Sequence, residues 1–141
     1  MTDKASRVSS DVDNSRTVET ALYALQDPDL DTVDSAFADE IAWQNVGFPT
    51  RRGRERIVNL LRRGQGRVGF EVKFHRIAAD GNTVLTERTD ALAIGPVRLQ
   101  FWVCGVFEVH NGRITLWRDY FDQFDFAKAI VRGVLGSLTK R

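Results

Sequence analysis

Apolar residues recur along this chain at two different periods, and the change from one to the other falls just after Gly64. From Arg16 onward Val18, Leu22 and Leu25 follow helical spacing, and Asp27-Pro28-Asp29 ends the run, which predicts a first helix. Leu30, Val33 and Phe37 repeat the spacing as a short second helix, with Asp29 or Asp31 available to accept its orphan N–H groups. Glu40 to Gly47 reads as a strand or sheet edge, and Pro49 and Gly53 mark a loop. Arg54 to Arg63 then reads as a third helix with Ile57, Leu60 and Leu61 turned inward.

Beyond Gly64 the period falls to two: Val68, Phe70, Val72 and Phe74 alternate with Gly69, Glu71, Lys73 and His75. Asp80-Gly81-Asn82 separates this strand from Thr83 to Ile94, and Gly95-Pro96 separates that from Val97 to Val109. Asn111-Gly112, the pair most favoured in a two-residue hairpin, leads into Ile114 to Phe121, and Gln123 to Leu138 closes the chain as a helix. Helices first and four consecutive strands later predict an α+β fold, a curved antiparallel sheet wrapping the N-terminal helices around a deep apolar pocket.

Composition narrows the class. The 141 residues suit one domain, 16–141, and the 43% hydrophobic and 28% charged content is that of a folded globular protein. Twenty basic against 19 acidic residues leave a net charge of +1, too weak a field to suggest nucleic acid, and the basic clusters at Arg51-Arg52-Gly53-Arg54 and Arg62-Arg63 suit exposed surfaces. Cys104 has no second thiol to pair with and the histidines form no metal-ligand pattern, so a reducing cytoplasm and no metal are expected. Residues 1–15 are polar and read as a disordered tail; no run is apolar or long enough for a membrane span.

The candidate chemistry comes from charge inside the strand pattern. Arg88 and Asp90 share a strand face with Val84, Thr86 and Leu92, the face expected to be inner. On the next strand Leu99, Phe101, Val103, Phe107 and Val109 form one apolar face, and on the strand after it Asp119 falls between Trp117 and Phe121. Charges taken out of water cost several kcal/mol each unless paired, so they are kept inside for a purpose, catalysis being one. Neither His75 nor His110 fits such a role, and Cys104, facing away from the apolar row, reads as a small buried hydrophobe.

Thr86-Glu87-Arg88-Thr89-Asp90, Gly105-Val106-Phe107, Trp117-Arg118-Asp119-Tyr120-Phe121-Asp122 and Gln44-Asn45, in this order and spacing, resemble limonene-1,2-epoxide hydrolase and its relatives over roughly residues 16 to 128. The resemblance implies a nuclear-transport-factor-like cone with a bent mixed sheet, usually dimeric, and a cofactor-independent enzyme that adds water to a small apolar epoxide. It also implies roles. Asp119 is the base that deprotonates water, Asp90 the acid that protonates the epoxide, Arg88 the cation between them, and Asn45 a holder of the water. Where the family commonly has a tyrosine beside that water, this chain has Trp43, whose indole donates but cannot accept.

The pocket wall is expected from Leu92, Phe101, Val103 and Phe121, with Leu22 and Leu25 from the first helix. Two rival readings remain open on the same cone: a ketosteroid-isomerase-like or polyketide-cyclase-like proton transfer, and a non-catalytic binder of an apolar ligand. The first would need an oxyanion donor such as tyrosine, and no tyrosine falls on the expected inner face.

Overall fold

A computed structural model describes residues 3–139 of the chain. The elements run α1 (Asp3–Gln26), α2 (Leu30–Ala36), β1 (Phe37–Asn45), β2 (Arg51–Arg52), α3 (Arg54–Gly64), β3 (Val68–Asp80), β4 (Thr83–Ile94), β5 (Val97–His110), β6 (Arg113–Tyr120) and α4 (Gln123–Thr139). The sheet order is β2-β1-β6-β5-β4-β3. All neighbours are antiparallel except β1 and β6, which run parallel, so the sheet is mixed. Register shifts at Phe74/Arg76 and Glu108/Val109 mark bulges, which bend a strand and deepen the concave face.

The core lies between that face and the first three helices. Val18, Ala21 and Leu22 of α1, Val33 of α2 and Ile57 of α3 meet Val84, Phe107, Ile114 and Trp117, the inward residues of β4, β5 and β6. Asp29 caps α2 through Thr32, whose backbone N–H donates to its Oδ1 at 3.2 Å and whose hydroxyl donates to its Oδ2 at 2.6 Å. Those bonds hold the Asp29 carboxyl below the ordinary carboxylate value.

Four sequence expectations are corrected. The tail expected over residues 1–15 is helical from Asp3, the first two residues lying outside the described range. Asn14 Nδ2 donates to the Gly81 carbonyl at 2.8 Å and Asp11 accepts from the Gly81 N–H at 2.9 Å, so the β3–β4 turn anchors a helix whose polar sequence gives no apolar period. Phe37 leaves the helical run: with φ −95° and ψ 137° it opens β1, fully buried, because its backbone enters the sheet beside Ile114. Leu60 is 37% exposed on the solvent side of α3, whereas Ile57 is buried. Cys104 is exposed, because the outer face of the sheet carries no covering layer among the described residues.

Among the described residues no deep pocket is found at the expected place. A distinct cavity of about 320 Å³ lies instead between α1 and β3, walled by Val12, Ser15, Glu19, Ile77 and Ala79. On the other side of the sheet's inner face, space is filled by Phe101, Phe121 and Phe126, whose ring centroids lie 5.1 to 5.8 Å apart. Phe126 comes from α4, which Asp122 caps by accepting from the Phe124 and Asp125 N–H groups at 2.8 and 3.1 Å. Gly133 lets α4 approach β5, since a Cβ there would lie 2.6 Å from the Arg98 carbonyl oxygen.

Candidate active site

The ladder sets the site row by row. Asn45 on β1 pairs with Asp119 on β6, Asp119 with Gly105 on β5, and Gly105 with Thr86 on β4. Arg88 lies opposite Val103, and Asp90 opposite Phe101. Directly paired residues project to the same side of a sheet, so all these side chains face inward together. The strand alternation thus brings to one place three charged residues that are 31 positions apart at most along the chain.

Arg88 is the centre. It has no exposure, and its five N–H groups all find acceptors. Nε and Nη2 donate to Asp90 Oδ1 and Oδ2 at 3.1 and 2.7 Å. Nη1 and Nη2 donate to Asp119 Oδ1 and Oδ2 at 3.1 and 2.9 Å, and the remaining Nη1 hydrogen goes to Thr86 Oγ1 at 3.1 Å. Bidentate pairing of this kind fixes both carboxylates in the guanidinium plane, which a lysine's point charge would not do. Asp90 and Asp119 are 3% and 5% exposed, so the whole cluster is dry.

Burial is the largest influence on Asp119 and raises its pKa above the ordinary 3.8. Arg88 acts against that rise and the Asp90 charge adds to it. For Arg88 burial opposes the charged form, but the two flanking carboxylates more than offset it, and its pKa rises. A cation thus remains fixed between two acids, and one of them is a stronger base than a surface aspartate.

An aromatic stack supports the cluster from the core side. Trp43, Trp117 and Phe107 are ladder partners, and Trp117 stacks on Trp43 at 5.1 Å and on Phe107 at 5.8 Å, with 24° between planes in both cases. The Arg88 guanidinium carbon sits 5.8 Å over the same Phe107 ring, so the stack ends on the cation. The indole N–H groups of Trp43 and Trp117 are both buried without a hydrogen-bond partner.

Of the residues named from sequence, Arg88, Asp90 and Asp119 converge in one hydrogen-bonded cluster, with Asn45 beside Asp119 on the ladder and Trp43 one row away. Asn45 enters none of the bonds of the cluster. Val103 and Phe101 flank Arg88 and Asp90, Phe121 packs 5.8 Å from Phe101, and Leu92 is half-buried opposite Leu99. Leu22 is packed into the core cluster and Leu25 against it, so both serve the helix–sheet interface.

Sequence reasoning passed over three contributors. Thr86 accepts the fifth Arg88 hydrogen, and its shared face with Arg88 was the available signal. Gly105 leaves the space in which Arg88 and Asp119 meet; an isolated glycine within a strand is a recognised sign of close approach. Trp117 supplies a buried donor two residues from Asp119, a position the alternation pattern places on the same face.

The family model of the limonene-1,2-epoxide hydrolase catalytic domain matches residues 12–132. Epoxide hydrolase EphG of Mycobacterium tuberculosis (strain ATCC 25618 / H37Rv) is 65% identical over 118 residues, 84% of this chain and 79% of that protein. A solved structure of an M. tuberculosis LEH-like epoxide hydrolase is 60% identical, covers 93% of this chain and 98% of its own, and superposes with a TM-score of 0.90. An NTF2-like protein of unknown function from Burkholderia pseudomallei K96243 is 18% identical with a TM-score of 0.72, over 84% of this chain and 97% of its own; that likeness is one of fold alone.

Proposed function

The chain belongs to the limonene-1,2-epoxide hydrolase family, and on that premise we propose that it hydrolyses an apolar epoxide to a vicinal diol in one step. The observation that carries the reading is the pair of buried aspartates on one guanidinium. Asp119 takes a proton from water as the water oxygen attacks a ring carbon. The carbon–oxygen bond of the ring breaks, and Asp90 gives its proton to the departing oxygen. Neither hydroxide nor alkoxide forms in the free state, and each proton transfer of this kind contributes on the order of 10²- to 10⁴-fold.

The geometry supports a shared role for the two acids. The raised pKa of Asp119 makes its ionised form a stronger base than an ordinary aspartate. Arg88 holds the acids close without full mutual repulsion and orients both. After turnover Asp119 is protonated and Asp90 ionised, so one proton returns between two acids that already share a cation. Asn45 and Trp43 hold the attacking water in this reading, Trp43 donating to its oxygen and leaving its protons to Asp119 and the Asn45 carbonyl. Leu92, Phe101, Val103 and Phe121 favour an apolar substrate. The reaction as written needs no cofactor.

Two further elements belong to the same proposal. Trp102 and Tyr120 are 56% and 43% exposed on the outer face of the sheet, which favours a homodimer that covers them. Among the described residues no helix is long and apolar enough to cross a membrane, and with a lone cysteine we place the enzyme in the cytoplasm.

Single turnover in ¹⁸O-labelled water tests the chemistry. Label entering the diol directly, with none passing through a carboxylate oxygen of the protein, supports one-step hydration; label found in the protein overturns it in favour of a covalent ester.

A further inference from the structure

We propose that Thr86 is a positioning residue for the reaction, its hydroxyl oxygen keeping Arg88 in register with both acids while their charges exchange. The catalytic consequence rests on the epoxide hydrolase reading, but the structural content stands apart from it.

Thr86 lies two positions before Arg88 on β4, on the same inner face, and is 5% exposed. A buried hydroxyl is unfavourable unless it is hydrogen-bonded, and valine would fill nearly the same space in a strand without that burden. The hydroxyl has a specific use. Its ladder partner on β5 is Gly105, and a Cβ there would crowd Thr86 Oγ1, Arg88 Nη1 and Asp119 Oδ1 alike, so all three atoms border one gap. At this gap Arg88 Nη1 donates to Thr86 Oγ1 at 3.1 Å.

The other four Arg88 hydrogens go to carboxylate oxygens, two on Asp90 and two on Asp119. Charge-assisted hydrogen bonds are roughly twice as strong as neutral ones, so the strength of those four depends on which acid is ionised. In the proposed reaction that state inverts. Asp119 begins ionised and ends protonated while Asp90 does the reverse, so the pull on the guanidinium shifts from the Asp119 edge to the Asp90 edge within one turnover. Thr86 is the one Arg88 acceptor whose charge stays constant. It bonds Nη1, the terminal nitrogen that makes no hydrogen bond to Asp90. Arg88 is thereby held on the Asp119 side instead of collapsing onto Asp90, and its bonds to the base re-form for the next cycle.

Two substitutions separate an acceptor from a space-filler. Thr86→Val keeps the volume and removes the acceptor, whereas Thr86→Ser keeps the acceptor and leaves a methyl-sized void. Valine should lower kcat about 10-fold with KM within about twofold, and serine should recover most of that loss. A packing role reverses the order, with serine slower than valine, and that order overturns the proposal.

Arg88 itself gives a readout that needs no substrate. Two Nη1 hydrogens held by different acceptors give separate ¹H resonances, and rotation about the Cζ–Nη1 bond merges them. The pair, identified by its loss in Arg88→Lys, should stay resolved in Asp119→Asn, which carries the neutral charge of the protonated base. It should merge when Thr86→Val is added. A pair that merges in Asp119→Asn alone, or stays resolved in the double variant, overturns the proposal even if hydration holds. A pair resolved in the first and merged in the second upholds the Arg88 anchor even if hydration fails.

Discussion

Gly105 stands directly opposite Asp119 on the neighbouring strand, and a Cβ at Gly105 would lie 2.7 Å from Asp119 Oδ1. The same atom would lie 2.6 Å from Arg88 Nη1 and 2.8 Å from Thr86 Oγ1. Its backbone is ordinary strand, so the glycine is needed here for space rather than for an unusual φ. Gly105→Ala should therefore fold, at a cost of about 1–3 kcal/mol for overpacking, while displacing the acids by a fraction of an ångström. Displacements of about 1 Å cost on the order of 10²-fold in rate, and steady-state kinetics on the folded variant should show a loss approaching that size in kcat. Wild-type turnover would mean the cluster tolerates displacement.

Asp119→Asn and Asp90→Asn should each abolish diol formation on an epoxide that the wild type hydrolyses. Both keep shape and leave Arg88 one carboxylate partner, so circular dichroism should report an intact fold. Full activity in either variant removes that residue from the mechanism.

Arg88→Met leaves two carboxylates buried with no cation. Removing one partner from a buried charge network costs about 3–5 kcal/mol, and the loss should be smaller at acid pH, where the stranded carboxylates protonate. Chemical denaturation at pH 4 and pH 7 measures the difference. Arg88→Lys restores the charge but has neither the fork nor the five donors, so it should recover part of the stability and little of the rate.

Asp119 also makes stability depend on pH in the less usual direction. Its folded pKa lies above the ordinary 3.8, so between the two values the unfolded chain holds fewer protons than the folded one. Stability from this residue is complete below about 3.8 and falls as pH rises toward the folded value. The stability of the wild type relative to Asp119→Asn should decline over that window and then level off. A difference that grows with pH would place the Asp119 pKa below the ordinary value.

The anchoring of α1 can be tested separately. Asp11→Ala with Asn14→Ala removes both bonds to Gly81, each worth about 0.5–1.5 kcal/mol. Amide hydrogen exchange should accelerate in the first half of α1 and leave the β4–β5–β6 ladder protected. Unchanged exchange would mean that other contacts hold the helix.

How much of this was legible in the chain follows from the range of each interaction. Alternation places Thr86, Arg88 and Asp90 on one face because strand period is a property of the backbone, and Asn111-Gly112 marks the last hairpin because its turn needs φ above zero, which both residues adopt at 53° and 76°. The recurring motifs then tied these positions to a family. The first half of α1 escaped detection because its polar residues carry no apolar period and it is held partly by a turn more than sixty residues away.

Sequence by itself determined the strands, the inward-facing charges and the family, since each is written in local periodicity or in short runs of residues. Only tertiary structure decided that β1 runs parallel beside β6, which brings Asn45 next to Asp119 and stacks Trp43 on Trp117. It decided as well that Arg88 satisfies both acids across the gap left by Gly105, and that phenylalanines from three segments fill the space beside Asp90. Those outcomes depend on strand order and register, which arise from packing of the entire sheet against its helices and leave no periodic trace in any one segment.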